Sequence, residues 1–545
     1  MSTLLHLNHD VLCCIYDNLS FSDSLSLAST CAHMRLLLRP LLFASCRWRH
    51  NRVPPQTLWP FIRYLHIDTD QSYLHSDFLH DVRQLQSVSI HAQGVSANMN
   101  NLLSAASRID VLDLSYMCYR PRNCGYALHY GDFPGFFSLD CHPRVLKYCS
   151  RLGQQYLSHA DNMQMYESRI RALRHPLATL LHEISVEQIE VFETSAEALC
   201  LPLATSYTWS SLRRLVITGF WPDPLERLEA LNDPNMETPA WIYQHVHLGT
   251  LLVAAPNLRA LIIHCQYAGW LQYPQCVVWP HDDPAYVSCV PLLEEFELCN
   301  PAARDGIFAQ LPPSLRQLSL LLLPHLIHNT EMDMEWELSV IDASVAQNAL
   351  LPSALIDVLS AAPLPDLRQL RFSFRGPTDV RLFEVVATLF PRLELLEFHA
   401  EIGPGCLWSA QDLAQCARAL SPLAHLRELH LNTFSGIVDG MGRWPKRLRG
   451  IVGRVPACDG ILRQDVVKAL FGPLKAVEML WLPDMRVTMT NRSRTRNYYS
   501  REWRVFSVVR GRGKRPRLTE LDPFPECIHM TQIDGAQIGH CLQNV

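Results

Sequence analysis

The stretches DLRQLRF at 366–372, RLELLEF at 392–398 and HLRELHL at 425–431 share one spacing, Leu-x-x-Leu-x-Leu, with Phe allowed at the last place. The same spacing is present in SLRRLVI (211–217), NLRALII (257–263), LLEEFEL (292–298) and SLRQLSL (314–320). Weaker copies are FIRYLHI (61–67), QLQSVSI (84–90), RIDVLDL (108–114) and AVEMLWL (476–482). The alternation at the end of each copy is that of a short strand with one apolar face. Many copies follow an amphipathic helical stretch. LFEVVATLF precedes the copy at 392, DLAQCARALSP the copy at 425, and DVVKALFG the copy at 476.

Helix, turn and short strand, repeated, predict a solenoid. Neither element buries its apolar face alone, so neighbours must stack over a shared core with the helices outside. The segment resembles the divergent leucine-rich repeats of fungal F-box proteins. Two departures stand out. The asparagine expected three residues after the last leucine is replaced by Phe434, Gln266 and Pro301 in three copies. The spacing between central residues also ranges from 22 (Phe296 to Leu318) to 52 (Leu318 to Leu370). A non-repeating α/β domain is the alternative. The long spacings are read as loop insertions at about 116–170, 219–245, 266–290 and 321–350, where binding functions often reside.

Ahead of the repeats, residues 4–46 are richer in apolar side chains than the rest of the chain. Val11, Leu12, Ile15 and Leu19 share one helical face. Ser22 or Asp23 can cap a second helix carrying Leu25, Leu27 and Ala28. Met34, Leu37, Leu38 and Leu41 fall on one face of a third, which Pro40 is expected to end or kink. Three helices of this size cannot enclose so many leucines, so the surplus faces either the rest of the chain or another protein.

This segment resembles an F-box, with Asn8 standing where the family usually has proline after Leu7, and Pro40, Leu42 and Phe43 supplying the usual ending. The resemblance implies that Leu7, Val11, Ile15, Leu25, Leu27, Pro40, Leu41 and Phe43 supply the contact with the adaptor subunit of a cullin ligase, or the helix packing beneath it. A plain N-terminal cap on the repeats is the alternative.

The expected architecture is therefore α/β: a three-helix F-box (1–50), an irregular leucine-rich-repeat solenoid of parallel short strands with outer helices (51–490), and a basic segment with a tail (491–545). The resemblance implies a non-catalytic substrate receptor of an SCF-type ubiquitin ligase whose repeats hold an unknown target protein. The alternative is a repeat-based interaction scaffold with no ubiquitin role.

Composition fits that reading. The chain of 545 residues is 48% hydrophobic and 19% charged, with a net charge of -5, so nothing global points to nucleic acid or an anionic membrane. Eighteen cysteines without pairing or metal-type spacing suit reduced thiols in the cytoplasm or nucleus. No apolar run reaches the ~20 residues of a membrane span. No zinc, Walker or nucleophile-elbow motif is present, so no catalytic, metal or cofactor site is expected.

Target contacts are expected from strand positions that alternation points away from the core: Arg214, Glu295, Glu297, Arg371, Glu397, His399, Glu428, His430 and Trp481. Residues 492–517 hold ten Lys/Arg and one acid, with four aromatics interleaved. They read as a solvated segment, a nuclear-import signal at Lys514, Arg515 and Arg517, or a nucleic-acid contact, and nucleic acid is not an expected partner overall. The alternation from Trp503 to Val508 predicts a strand.

Overall fold

The computed structural model describes residues 11, 15, 18–49, 54–68, 84–90, 97–115, 139–149, 163–220, 248–266, 278–279, 290–322, 349–377, 379–401, 410–432, 453–455, 464–490, 496–511 and 516–521. Every copy of the motif becomes a strand, and the strands lie side by side in chain order. They are β1 (Ser45–Arg49), β2 (Tyr64–Asp68), β3 (Ser87–Ile90), β4 (Val111–Asp113), β5 (Val145–Tyr148), β6 (Val191–Ser195), β7 (Arg214–Phe220), β8 (Ala260–Gln266) and β9 (Glu295–Leu298). After them come β10 (Gln317–Leu320), β11 (Gln369–Arg375), β12 (Leu395–Glu401), β13 (Glu428–Asn432), β14 (Gly453–Val455), β15 (Met479–Thr490), β16 (Arg496–Val509) and β17 (Arg517–Glu520). From β1 to β13, and from β13 to β15, each pairs in parallel with its predecessor. The protein is mixed α/β, built on one mostly parallel sheet.

Register explains why the motif leucines matter. Leu112, Leu146, Phe192, Leu215, Leu261, Phe296, Leu318, Leu370, Leu396, Leu429 and Leu480 are successive partners across β4 to β13 and β15, and all are buried. The 52-residue gap changes nothing, because Leu318 still faces Leu370. Helices cover this apolar face. Phe383, on helix Val380–Leu389, meets Phe398 at 5.0 Å and Phe374 at 6.4 Å between ring centroids, both edge-on. Burying each such side chain contributes ~1.5–3 kcal/mol.

Several expectations need correction. The stretch 116–170 is not one insertion: it contains β5 and the start of helix Met163–Glu183. β5 and β6 complete the series between β4 and β7, but their sequences, Val145-Leu146-Lys147-Tyr148 and Val191-Phe192-Glu193-Thr194, replace the outer leucines and hide the repeat. β1 already pairs with β2, so the sheet begins before residue 50. Within 266–290, Val278 and Trp279 are buried in the main core. Their amides donate to the Asp305 carboxylate at 2.7 and 2.9 Å, and Ile307 N donates to it at 3.0 Å. Burial pushes the Asp305 pKa up to about 6, although the three amides pull the other way.

At the N-terminus Val11 and Ile15 are helical, and helices Phe21–Ser29 and Ala32–Leu42 follow. The second helix is capped by Ser20, not by Ser22 or Asp23: Asp23 N donates to Ser20 Oγ at 3.2 Å. Pro40 does not end the third helix. It sits in the last turn, where the hydrogen bond it cannot make is one of few remaining, and the helix runs on to Leu42.

At the other end the parallel stack passes into an antiparallel ribbon. Met479–Trp481 of β15 pairs with β13, Met485–Val487 with β14, and the whole strand with β16, which also pairs with β17. The expected strand at 503–508 lies inside β16. Arg510 donates to the carbonyls of Val477 and Leu474 at 2.6 and 2.7 Å, and Arg504 forks onto Glu520 at 2.7 and 2.6 Å. Part of the basic run is therefore committed to structure. Arg517 begins β17 and is exposed, while Lys514 and Arg515 lie outside the described residues. Among the described residues no helix is long and apolar enough to cross a membrane.

Candidate functional site

The residues between the core positions form a second row, on the opposite face of the same sheet. Reading the register from β1 gives Arg47, His66, Ser89, Asp113, Lys147, Glu193, Val216, Ile262, Glu297, Ser319, Arg371, Glu397, His430 and Trp481. Each is one residue past a core position, so the pleat turns it away from the helices. Polar side chains fill the row except at Val216, Ile262 and Trp481.

The expected exposure of the C-terminal members is overturned. Relative exposure is 3% for Glu297, 2% for Glu397, 1% for His399, 4% for His430 and 6% for Trp481. Glu295, Arg371 and Glu428 are half-buried, as is Arg214, which pairs with Glu295 at 3.1 Å. Alternation fixed which face these side chains take, but a face turned from the helices need not be open to water.

The contacts converge on Glu397. Its Oε1 lies 2.7 Å from His399 Nε2, and its Oε2 lies 3.4 Å from His430 Nδ1 and 3.5 Å from Arg371 Nε. Asn432 Nδ2 contacts His399 Nδ1 at 2.8 Å. An amide nitrogen only donates, so Nδ1 accepts, and the His399 proton sits on Nε2, facing Glu397. On the far side His430 Nε2 is 3.6 Å from Glu428, and its ring stacks on Trp481 with centroids 4.8 Å apart. Burial works to raise the Glu397 pKa. The hydrogen bonds from His399 and His430 and the charge of Arg371 outweigh it, holding the carboxyl well below the usual range.

A second knot surrounds Glu297. His264 Nε2 lies 3.4 Å from its Oε2, and Ser319 Oγ donates to Oε1 at 3.1 Å. Burial again works to raise the pKa, and His264, Arg371 and Ser319 together bring it below the ordinary value. Arg371 thus stands between two carboxylates.

Three members of these knots, His264, Ser319 and Asn432, escaped the sequence reading, as did Ser373, the register partner of His399. Ser373 Oγ accepts from Leu322 N at 3.2 Å. All four sit at alternating positions that the same pattern exposes, and a register count would have found them. In the other half of the row, Lys147 and Glu193 form one ion pair at 3.0 Å, and Ser89 Oγ donates to Asp113 at 3.4 Å.

Chemically, the C-terminal knots hold charge without solvent: two carboxylates kept ionised by a guanidinium and three imidazoles. Among the described residues no group of three or more His, Cys, Asp and Glu side chains is arranged to hold a metal ion.

The residues expected to face an adaptor divide differently. Helices Phe21–Ser29 and Ala32–Leu42 share a small core of Ala28, Met34, Leu38 and Leu42, separate from the main one. Leu27, Leu41 and Phe43 pack against it, and Pro40 is half-buried. Ile15 is half-buried, and Leu7 lies outside the described residues. Val11 and Leu25 are 44% and 45% exposed, and Leu36, which the sequence reading passed over, is 66% exposed. No protein-family model matches the chain, and no curated protein matches it significantly.

Proposed function

We propose that this chain is a substrate receptor of an SCF-type cullin ubiquitin ligase, an F-box protein whose sheet is a divergent leucine-rich-repeat solenoid. The observation that carries the reading is the N-terminal helical unit: it has a core of its own and still presents Val11, Leu25 and Leu36 to solvent. Large apolar side chains left outside so small a core suit a partner's surface. Leu27, Pro40, Leu41 and Phe43 then act beneath the contact, as helix packing. The repeats hold a target, and function follows from proximity: binding adaptor and target at once raises the effective concentration of the target near the ligase's ubiquitin-carrying subunit. The chain does no chemistry itself and works in the cytoplasm or nucleus.

Co-purification with the adaptor tests this. Full-length protein is expected to retain adaptor, and Leu25→Glu combined with Leu36→Glu to lose it with an unchanged melting temperature. Retention by the double variant, or no adaptor bound to the full chain, overturns the reading.

The alternative, an interaction scaffold with no ubiquitin role, draws support from β1, which runs directly from the helices into the sheet. On that reading the helices only cap the stack. Removing residues 1–43, a cut that spares β1, would then lower the melting point sharply, whereas a receptor's repeats would keep theirs.

A further inference from the structure

Each parallel strand after β1 is entered through a residue whose amide donates to its counterpart on the preceding parallel strand. These residues form a row along the edge where the strands begin. Arg213 N donates to Glu190 O, Arg259 to Arg213, Glu294 to Arg259, Arg316 to Glu294, Arg368 to Arg316, Glu394 to Arg368, and Arg427 to Glu394, all between 2.7 and 2.9 Å. Signs alternate along this stretch except at two places, where Arg213 adjoins Arg259 and Arg316 adjoins Arg368. Adjacent strands are ~4.8 Å apart, and like charges set that close repel.

The two arginine pairs have different surroundings. Beside Arg213 and Arg259 the next residues inward are Arg214 and Ala260, and Arg214 is committed to Glu295 at 3.1 Å. Beside Arg316 and Arg368 they are Gln317 and Gln369, and these four residues with Glu394 line an open cleft of about 280 Å³. Glu294 holds Arg259 at 2.8 Å and lies 3.8 Å from Arg316. Arg368 reaches Glu394 at 3.3 Å, and both guanidiniums stay more than half exposed. The cleft therefore offers two guanidiniums and two carboxamides, with the Glu394 carboxylate in its lining and that of Glu294 at 3.8 Å from Arg316.

We propose that the β10–β11 cleft binds a single oxyanion group, a carboxylate or a phosphate. A guanidinium presents paired donors that match either group, and the glutamine amides add donors on the inner side. Bound charge would relieve the repulsion between Arg316 and Arg368. A polyanion fits poorly, because its next charge along the row meets Glu294 or Glu394. The site stands apart from the adaptor reading and does not require it.

The test titrates the full chain with acetate and, separately, with inorganic phosphate at constant ionic strength, following ligand line broadening by NMR. Saturable binding of at least one probe is expected. Arg316→Gln with Arg368→Gln should weaken it at least tenfold, while Arg213→Gln with Arg259→Gln should change it less than twofold. If the first pair disturbs folding, as judged by circular dichroism, Gln317→Ala with Gln369→Ala replaces it, with a loss of at least threefold. Binding of acetate alone assigns a carboxylate, of phosphate alone a phosphate, and of both the shared chemistry. Titrations that never saturate, or equal losses at the two arginine pairs, overturn the site in favour of general charge screening.

Discussion

Across β3 to β6 the polar row is a set of simple contacts: Asp113 accepts from one hydroxyl and one backbone amide, and one lysine pairs with one glutamate. Across β9 to β15 the same row position gathers two carboxylates, one guanidinium and, with the row's neighbours, three imidazoles into linked buried knots. The two halves share strand geometry, register and core. Between them Val216 and Ile262 interrupt the row with apolar side chains. The difference teaches that position in a repeat sets the direction of a side chain, while burial sets how many partners it must have. A charge left partly in water needs one counter-ion. A charge out of water needs several donors, because desolvation must be offset on every lone pair.

Removing the hub should break the comparison most visibly. Glu397→Ala leaves Arg371 and the imidazoles of His399 and His430 without their shared acceptor and should cost about 3–5 kcal/mol in a denaturant melt. Lys147→Met, the equivalent lesion in the other half, strands only Glu193 and should cost about 1–3 kcal/mol. A pH series sharpens the contrast. Glu397 and Glu297 titrate lower in the folded chain than the ordinary 4.5, so the stability they lend is present above 4.5 and is lost as pH falls through their depressed values. The drop between pH 5 and 3 should flatten in Glu397→Gln and persist in Lys147→Met. Smallest of all, Arg144→Ala removes an exposed ion pair with Glu190 at the strand-entry edge, 2.6 Å long, and should leave the thermal melt almost unchanged.

Much of the sheet was legible because its code is short. A leucine triplet with one spacing recurs, and each strong copy became a strand in common register. β5 and β6 were not legible, since Tyr148 and Thr194 stand where the motif's last leucine belongs. Nor was β1, whose Ser-Cys-Arg-Trp-Arg sequence carries no leucine at all. The candidate site was half legible: alternation named Glu297, Glu397, His399 and His430 correctly as facing away from the core. Their burial was not legible, because alternation sets only the face a side chain takes and not its exposure. The Ser20 cap and the position of Pro40 were misjudged by a turn or less, where competing caps differ by fractions of a kcal/mol.

One consequence follows from where the chain spends its extra length. The returns into each strand are tight, with a buried leucine and a backbone bond to the preceding strand. The long additions, such as 221–247, 267–289 and 323–348, all fall after a strand has ended. The register of the strands is thus indifferent to the length inserted between them. New segments could be grafted after β7 or β10 without a change of register, which makes this edge the natural place for an engineer to write in a new recognition surface.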